Sequence, residues 1–314
     1  MVNINFGDKK IHQDAEYNAD QAEFDALKFG TANIDSGIAD DNIADSLDDY
    51  ELEIPLDEDW AMRDTAKDSA AGLLLDKLKS RAELLGETYP FTISGSRISL
   101  KTGNTNLVYR FCLAISNAPN ITTGEYVKLP RKFEHVAGMI TKTILGNDSK
   151  WFHTGWPRSD NKPKKFIELA EEIKKEVCAQ HEWTWMPQSG LEDCDAKAFK
   201  DCGIDYLAWT NMFDNREGKL FITGQCACGN DWTGKFKDIN FPSLKGWFHP
   251  LTWITPTKAL AIPYCASNGY LYQSSQDDNI LLDRIRLSLL FEKNKVLLDV
   301  KELEDLIDMV KNAA

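Results

Sequence analysis

Ile204-Asp205-Tyr206-Leu207-Ala208-Trp209 and Leu220-Phe221-Ile222-Thr223-Gly224-Gln225 are two short runs rich in β-branched and aromatic residues, and Asn211-Met212-Phe213-Asp214-Asn215-Arg216-Glu217-Gly218 lies between them. The intervening stretch is dense in turn formers, so the whole reads as one β-hairpin. Asp205 precedes the turn by about as many residues as Gln225 follows it, which carries both side chains to the same end of the hairpin. Paired strands run about 4.8 Å apart, so an aspartate and an amide carbonyl at facing positions reach one small cation.

Working outward, Phe133, Val136, Ala137, Ile140 and Ile144 mark one helical face on a segment that also carries Glu134. Residues 151–155 read as a strand, 164–178 as a charged amphipathic helix, 259–264 as an apolar strand, and 279–291 and 300–310 as two closing helices. Toward the N-terminus, good helix formers over 70–85 end at Gly86. Alternation over 89–100 with Gly95 marks a second hairpin, and 107–115 reads as an apolar helix. Helices and strands alternate, which predicts an α/β (α+β) sandwich with a mixed sheet flanked by helices.

Three motifs then fall in a telling order: Phe133-Glu134 on a helix, Gly203-Ile204-Asp205 on a strand, and Gln225-Cys226-Ala227 at the end of the next. This arrangement resembles the PD-(D/E)xK nuclease superfamily, in particular its Mrr-like restriction branch. The resemblance implies a restriction-endonuclease-like fold and metal-dependent hydrolysis of DNA phosphodiester bonds, of the restriction or anti-phage kind. It implies that Glu134, Asp205 and Gln225 hold Mg²⁺ or Mn²⁺. The family's lysine is missing, because Ala227 stands two residues after Gln225; Lys235 and Lys237, just past the strand, are the substitutes. Ala227 also leaves open a catalytically inactive nuclease-fold subunit that binds DNA or scaffolds a defence complex. DNA is the implied partner, with a helicase, ATPase or sensor protein beside it and self-association as a further arrangement. The chain's own Gly224 to Gly229 lacks the pattern of a phosphate-binding loop.

The net charge of −13 argues against nucleic acid until it is divided along the chain. Residues 1–60 hold 17 of the 49 acids and 3 of the 36 bases, a balance of −14, and the rest of the chain stands at +1. A near-neutral body binds phosphates through local patches rather than through its total charge. The patches predicted are Arg131-Lys132, Arg158, Lys162 to Lys165 and Lys235 to Lys245, interleaved with Trp151, Trp156, Trp232 and Trp247. Most tryptophans are core residues, and arginines such as Arg284 and Arg286 on an apolar helix are expected in structural ion pairs.

Three segments follow from this division: 1–60 as an acidic N-terminal arm, 61–125 as an N-terminal subdomain, and 126–314 as the nuclease-like domain with its closing helices. Residues 33–59 contain eleven acids and no base, which reads as a solvated segment or as a mimic of DNA phosphates docked on a basic surface. No apolar stretch reaches the roughly 18 to 20 residues that span a bilayer, and the first residues lack a basic region followed by an apolar run, so a cytoplasmic, unprocessed protein is expected. Seven cysteines at irregular spacing suit reduced thiols. The pair Cys226-Ala227-Cys228, with Cys194 and Cys202 upstream, lacks the usual zinc spacing, and buried packing is the simpler expectation for it than zinc or a Cys–His nucleophile.

Overall fold

The computed structural model describes residues 6–34, 56–103, 105–156, 158, 163, 166–177, 181–184, 186, 203–249, 251–277 and 279–313. In chain order the elements are α1 (Phe6–Phe29), β1 (Thr31–Asn33), α2 (Leu56–Leu85), β2 (Phe91–Ser94), β3 (Arg97–Leu100), α3 (Leu107–Ser116), α4 (Lys128–Thr141), β4 (Lys150–His153), α5 (Phe166–Val177), β5 (Tyr206–Trp209) and β6 (Phe221–Cys226). There follow a 3-10 turn (Trp232–Lys237), α6 (Phe241–Trp247), β7 (Thr257–Ala261), α7 (Asn268–Gln276), β8 (Asn279–Leu282), α8 (Arg284–Asn294) and α9 (Val300–Lys311).

Two sheets result: a small antiparallel one in the order β1-β3-β2, and a five-stranded one in the order β4-β5-β6-β7-β8. In the larger sheet β4–β5 and β5–β6 pair antiparallel, whereas β6–β7 and β7–β8 pair parallel. Parallel neighbours need a crossover. Those crossovers are the 3-10 turn with α6, and α7. The chain is therefore a mixed α/β protein, with the hairpin at 206–226 in the middle of its main sheet.

Period-two alternation decides which side chain meets which layer. Ala208, Ile222, Ala259 and Ala261 join Phe133, Val136, Ala137 and Ile140 of α4 and the apolar faces of α3 and α9 in one core. Phe152, Leu207, Trp209 and Phe221 point the other way, onto Leu169, Ile173 and Val177 of α5 and Leu244 and Trp247 of α6. Two glycines permit the close approach of the first layer. A Cβ on Gly138 would lie 2.5 Å from the Trp151 ring, and one on Gly224 would lie 1.9 Å from the Tyr206 ring.

Several sequence expectations need correction. Residues 6–34 are no arm, because α1 and β1 are built into the first core and into the small sheet. Three acids of α1 are paired inside the protein. Arg81 meets Glu16 at 2.7 Å, Asp20 at 2.8 Å and Glu23 at 2.9 Å, while Arg284 meets Asp20 at 2.7 Å. Glu23, fully buried, also accepts hydrogen bonds from the hydroxyls of Tyr89 and Tyr109. The apolar pattern of α1 was masked by these acids, whose partners are far away in sequence. The boundary at residue 60 falls inside α2, and the one at 125 divides a single core. Residues 35–55, the bulk of the acidic segment, lie outside those described. Residues 279–282, expected in a helix, form edge strand β8, and the helix starts only after Asp283, whose carboxylate caps it through the Arg286 amide. The expectation that Arg284 sits in a structural ion pair is met. Among the described residues no helix is long and apolar enough to cross a membrane.

Candidate functional site

Glu134 is presented by α4 because Phe133, Val136 and Ala137 around it are buried in the core and fix the helix rotation. Its Oε2 lies 2.6 Å from His153 Nε2 at the end of β4. The His153 ring stacks on His135 with centroids 4.3 Å apart, and His135 meets Trp151 edge-on at 5.6 Å. Gly155 closes this arrangement from the far side, since a Cβ there would stand 2.3 Å from Glu134 Oε2.

Gly155 is also the bridge to the hairpin. Its amide donates to the Asp205 carbonyl at 3.0 Å, and the Thr154 amide donates to the same oxygen at 2.8 Å. Asp205 donates its own amide to the Gly224 carbonyl at 2.8 Å, and its Oδ2 accepts the Cys226 amide at 2.7 Å. Tyr206 faces Gly224 in the β5–β6 ladder, so Asp205 and Gln225 flank that pair on the two strands. Asp205 and Gln225 therefore stand at the same end of the hairpin; Gly155, bonded to Asp205, lies beside Glu134 on the α4 side, whereas Gln225 shares the strand parity of Phe221 and bonds Asp238.

Gln225 donates from Nε2 to Asp238 Oδ2 at 3.0 Å, which leaves its carbonyl oxygen as the acceptor of that amide. Lys235 Nζ lies 3.3 Å from the same Asp238 oxygen. Gly203 has φ of +73°, and a Cβ there would come within 3.3 Å of the Asp238 carbonyl, so the loop entering β5 packs directly on this residue. Lys237 is placed elsewhere: it faces Asp277 at 3.8 Å with its side chain 82% exposed. Of the two candidate lysines, only Lys235 is tied to Gln225 through a shared partner. Gly155 and Asp238 are not candidates in the sequence, and His153 is one only as a base for a cysteine nucleophile. His153 shares the parity of Trp151 on the predicted 151–155 strand, the side that meets α4, and neither its partner nor Asp238 follows from a spacing rule.

The electrostatics are those of a carboxylate-lined corner. Burial, followed by the charges of Asp205 and Glu134, pushes the Cys226 thiol well above its ordinary range, and burial followed by Glu134 does the same for Cys228. Protonated thiols are poor nucleophiles, which agrees with a packing role for both. Cys194 and Cys202, the other half of the zinc arrangement considered from sequence, lie outside the described residues.

Two carboxylates and an amide oxygen are hard donors suited to Mg²⁺ or Mn²⁺. Among the described residues no three His, Cys, Asp or Glu side chains form a metal-holding group.

Most of the predicted nucleic-acid residues are spoken for. Trp232 and Trp247 are buried, Lys132 pairs with Glu302, and buried Arg158 donates to the Thr154 carbonyl while its guanidinium covers the Trp156 ring at 5.4 Å. Arg131, Trp156 and Lys245 remain at the surface, and Lys162, Lys164 and Lys165 lie outside the described residues. Comparison of the chain with protein-family models, with curated proteins and with solved structures finds no match.

Proposed function

We propose that this protein is a metal-dependent DNA endonuclease of the restriction or anti-phage kind, and that its site is the corner formed by Glu134, Asp205 and Gln225. The observation that carries the reading is the linkage of Glu134 to Asp205 through Gly155, at the end of a hairpin where Gln225 lies across from Asp205. The order helix, three antiparallel strands, crossover and parallel strand supports it as well. A Mg²⁺ or Mn²⁺ ion held by Glu134, Asp205 and the Gln225 carbonyl would activate water and offset charge on the phosphate. Asp238 orients the Gln225 amide. Lys235 supplies the positive charge that Ala227 cannot, reaching the phosphate from the 3-10 turn.

One observation favours the second reading, an inactive nuclease-fold subunit that binds DNA or acts as a scaffold: Ala227 is buried in an apolar cluster with Trp232, Leu260 and Tyr264, so the usual lysine position is packed shut. A helicase, ATPase or sensor protein remains a proposed partner on either reading. The two readings separate when purified protein is incubated with supercoiled, linear and single-stranded DNA in Mg²⁺ or Mn²⁺, with and without chelator. Chelator-sensitive cleavage supports the enzyme, and binding without cleavage supports the subunit.

A further inference from the structure

A cavity of about 340 Å³ opens beside the main sheet, lined by Tyr17, Asp20 and Gln21 of α1, Ser116 and Asn117 at the end of α3, and Asn230 and Tyr264. Asn230 follows β6 and Tyr264 follows β7, the two central parallel strands. In open α/β sheets the carboxyl ends of parallel strands are where ligands seat, because loops diverge there and leave a crevice. The volume falls in the range of small-molecule pockets.

The lining specifies what it can hold. Every lining side chain is polar or carries a hydroxyl, none is cationic, and three are amides. Gln21 and Asn230 stand exposed at the mouth, whereas Asp20 and Tyr264 are buried. Asp20 receives Arg284 on both oxygens and Arg81 on one. A carboxylate offers about four lone-pair positions, so one further donor can be accepted. Tyr17 and Tyr264, edge-to-face at 5.8 Å, supply aromatic walls. Tyr264 is held by the Cys228 carbonyl at 2.6 Å and by Asn230 Oδ1 at 3.0 Å, and Tyr17 by the Trp232 indole at 3.2 Å, so the walls are fixed before anything enters.

We infer that this cavity binds a nucleobase, presented by a free nucleoside or by an unpaired nucleotide of a strand. Gln21 Nε2 donates to Asp25, Asn117 Nδ2 to Leu113 and Ser116, and Asn230 Oδ1 accepts from Tyr264, so the carbonyl oxygens of Gln21 and Asn117 and the Nδ2 of Asn230 are what the lining offers a base edge. An aromatic ring matches its face, and the lone pair of Asp20 takes an N–H of the base. The absence of a lysine or arginine from the lining assigns the phosphates no place inside. This site is separate from the Glu134–Asp205 corner and does not depend on cleavage.

The test is calorimetric titration of the full chain with adenosine, guanosine, cytidine and uridine, with a short mixed-sequence single-stranded oligonucleotide, and with glucose. Gln21→Ala and Asn230→Ala serve as site variants, and circular dichroism checks their folding. Saturable binding of a nucleoside or of the oligonucleotide, weakened about tenfold or more in both folded variants while glucose does not bind, is expected. Nucleoside binding identifies a free ligand, and oligonucleotide binding alone identifies a strand. No binding by either class, equal binding of glucose, or affinity unchanged in both variants overturns the assignment.

Discussion

Glu134 Oε2 lies 2.6 Å from His153 Nε2, and this pair leaves room on its open side for a glycine and nothing larger. A Cβ on Gly155 would stand 2.3 Å from the carboxylate and 3.0 Å from the imidazole. Gly155→Ala therefore displaces Glu134 from the corner it shares with Asp205. Overpacking of this kind costs about 1–3 kcal/mol. The variant should stay folded by circular dichroism, melt a few degrees lower, and lose metal-dependent cleavage. Unchanged activity would show that Glu134 does not serve the site from this position.

Lys235 and Lys237 should separate cleanly. Lys235 shares Asp238 with Gln225, and Lys237 faces Asp277 at the surface. Lys235→Ala is expected to lower the cleavage rate by at least about tenfold and Lys237→Ala to leave it within about twofold, a loss below the roughly 10²–10³ that removal of an oxyanion-hole donor costs because Lys235 is partly exposed. Equal loss in both variants would mean that the two lysines act only through general attraction for DNA, and a salt titration would then show it.

Gly224 tests the sheet itself. Its Cβ would fall 1.9 Å from the Tyr206 ring, whose hydroxyl is hydrogen-bonded to Thr141 at 2.9 Å and cannot swing away freely. Gly224→Ala should lower the urea midpoint far more than Gly234→Ala, where a Cβ meets nothing within 4 Å. Similar midpoints would contradict the packing of α4 on the hairpin.

The buried ion cluster makes two stability predictions. Removing Arg81 leaves the Glu16, Asp20 and Glu23 carboxylates short of one guanidinium, so Arg81→Ala should cost about 3–5 kcal/mol in urea unfolding. Burial also raises the Glu23 carboxyl above its usual value of 4.5, against the pull of Arg81 and Arg284. The folded protein then binds this proton more tightly than the unfolded chain does, so stability contributed by Glu23 is greatest below pH 4.5 and falls as pH rises through the folded value. For Glu16, burial is the largest single effect and raises the carboxyl, but Arg81 and Lys77 together outweigh it and hold it below 4.5, so Glu16 acts in the opposite sense below that pH. Glu23→Gln should flatten the decline of stability with rising pH above 4.5, and a variant that keeps the wild-type slope would remove Glu23 as its source.

The hairpin, the α4 face and the end-of-strand positions of Asp205 and Gln225 were legible because each depends on local periodicity and turn chemistry. What was hidden depends on distant partners. Glu16, Asp20 and Glu23 look like solvent-facing charges until Arg81 and Arg284 arrive from residues far along the chain. Residues 279–282 form a strand because they add to the edge of β7, and their apolar run suits a helix equally well. His153 and Asp238 join the corner through tertiary contacts that no spacing encodes. Deleting residues 1–60 would remove part of the core, so that truncation cannot test residues 33–59 as a mimic of DNA phosphates.

The most direct measurement of the central claim is the cleavage rate of supercoiled DNA in Mn²⁺ by wild-type protein and by Asp205→Ala at matched concentration, with folding of both checked by circular dichroism. The account predicts conversion to nicked or linear DNA by the wild type and a loss of at least a hundredfold in the variant, because Asp205 ties Glu134 to the Gln225 strand and is a proposed ligand itself. Cleavage that persists undiminished in folded Asp205→Ala would contradict it.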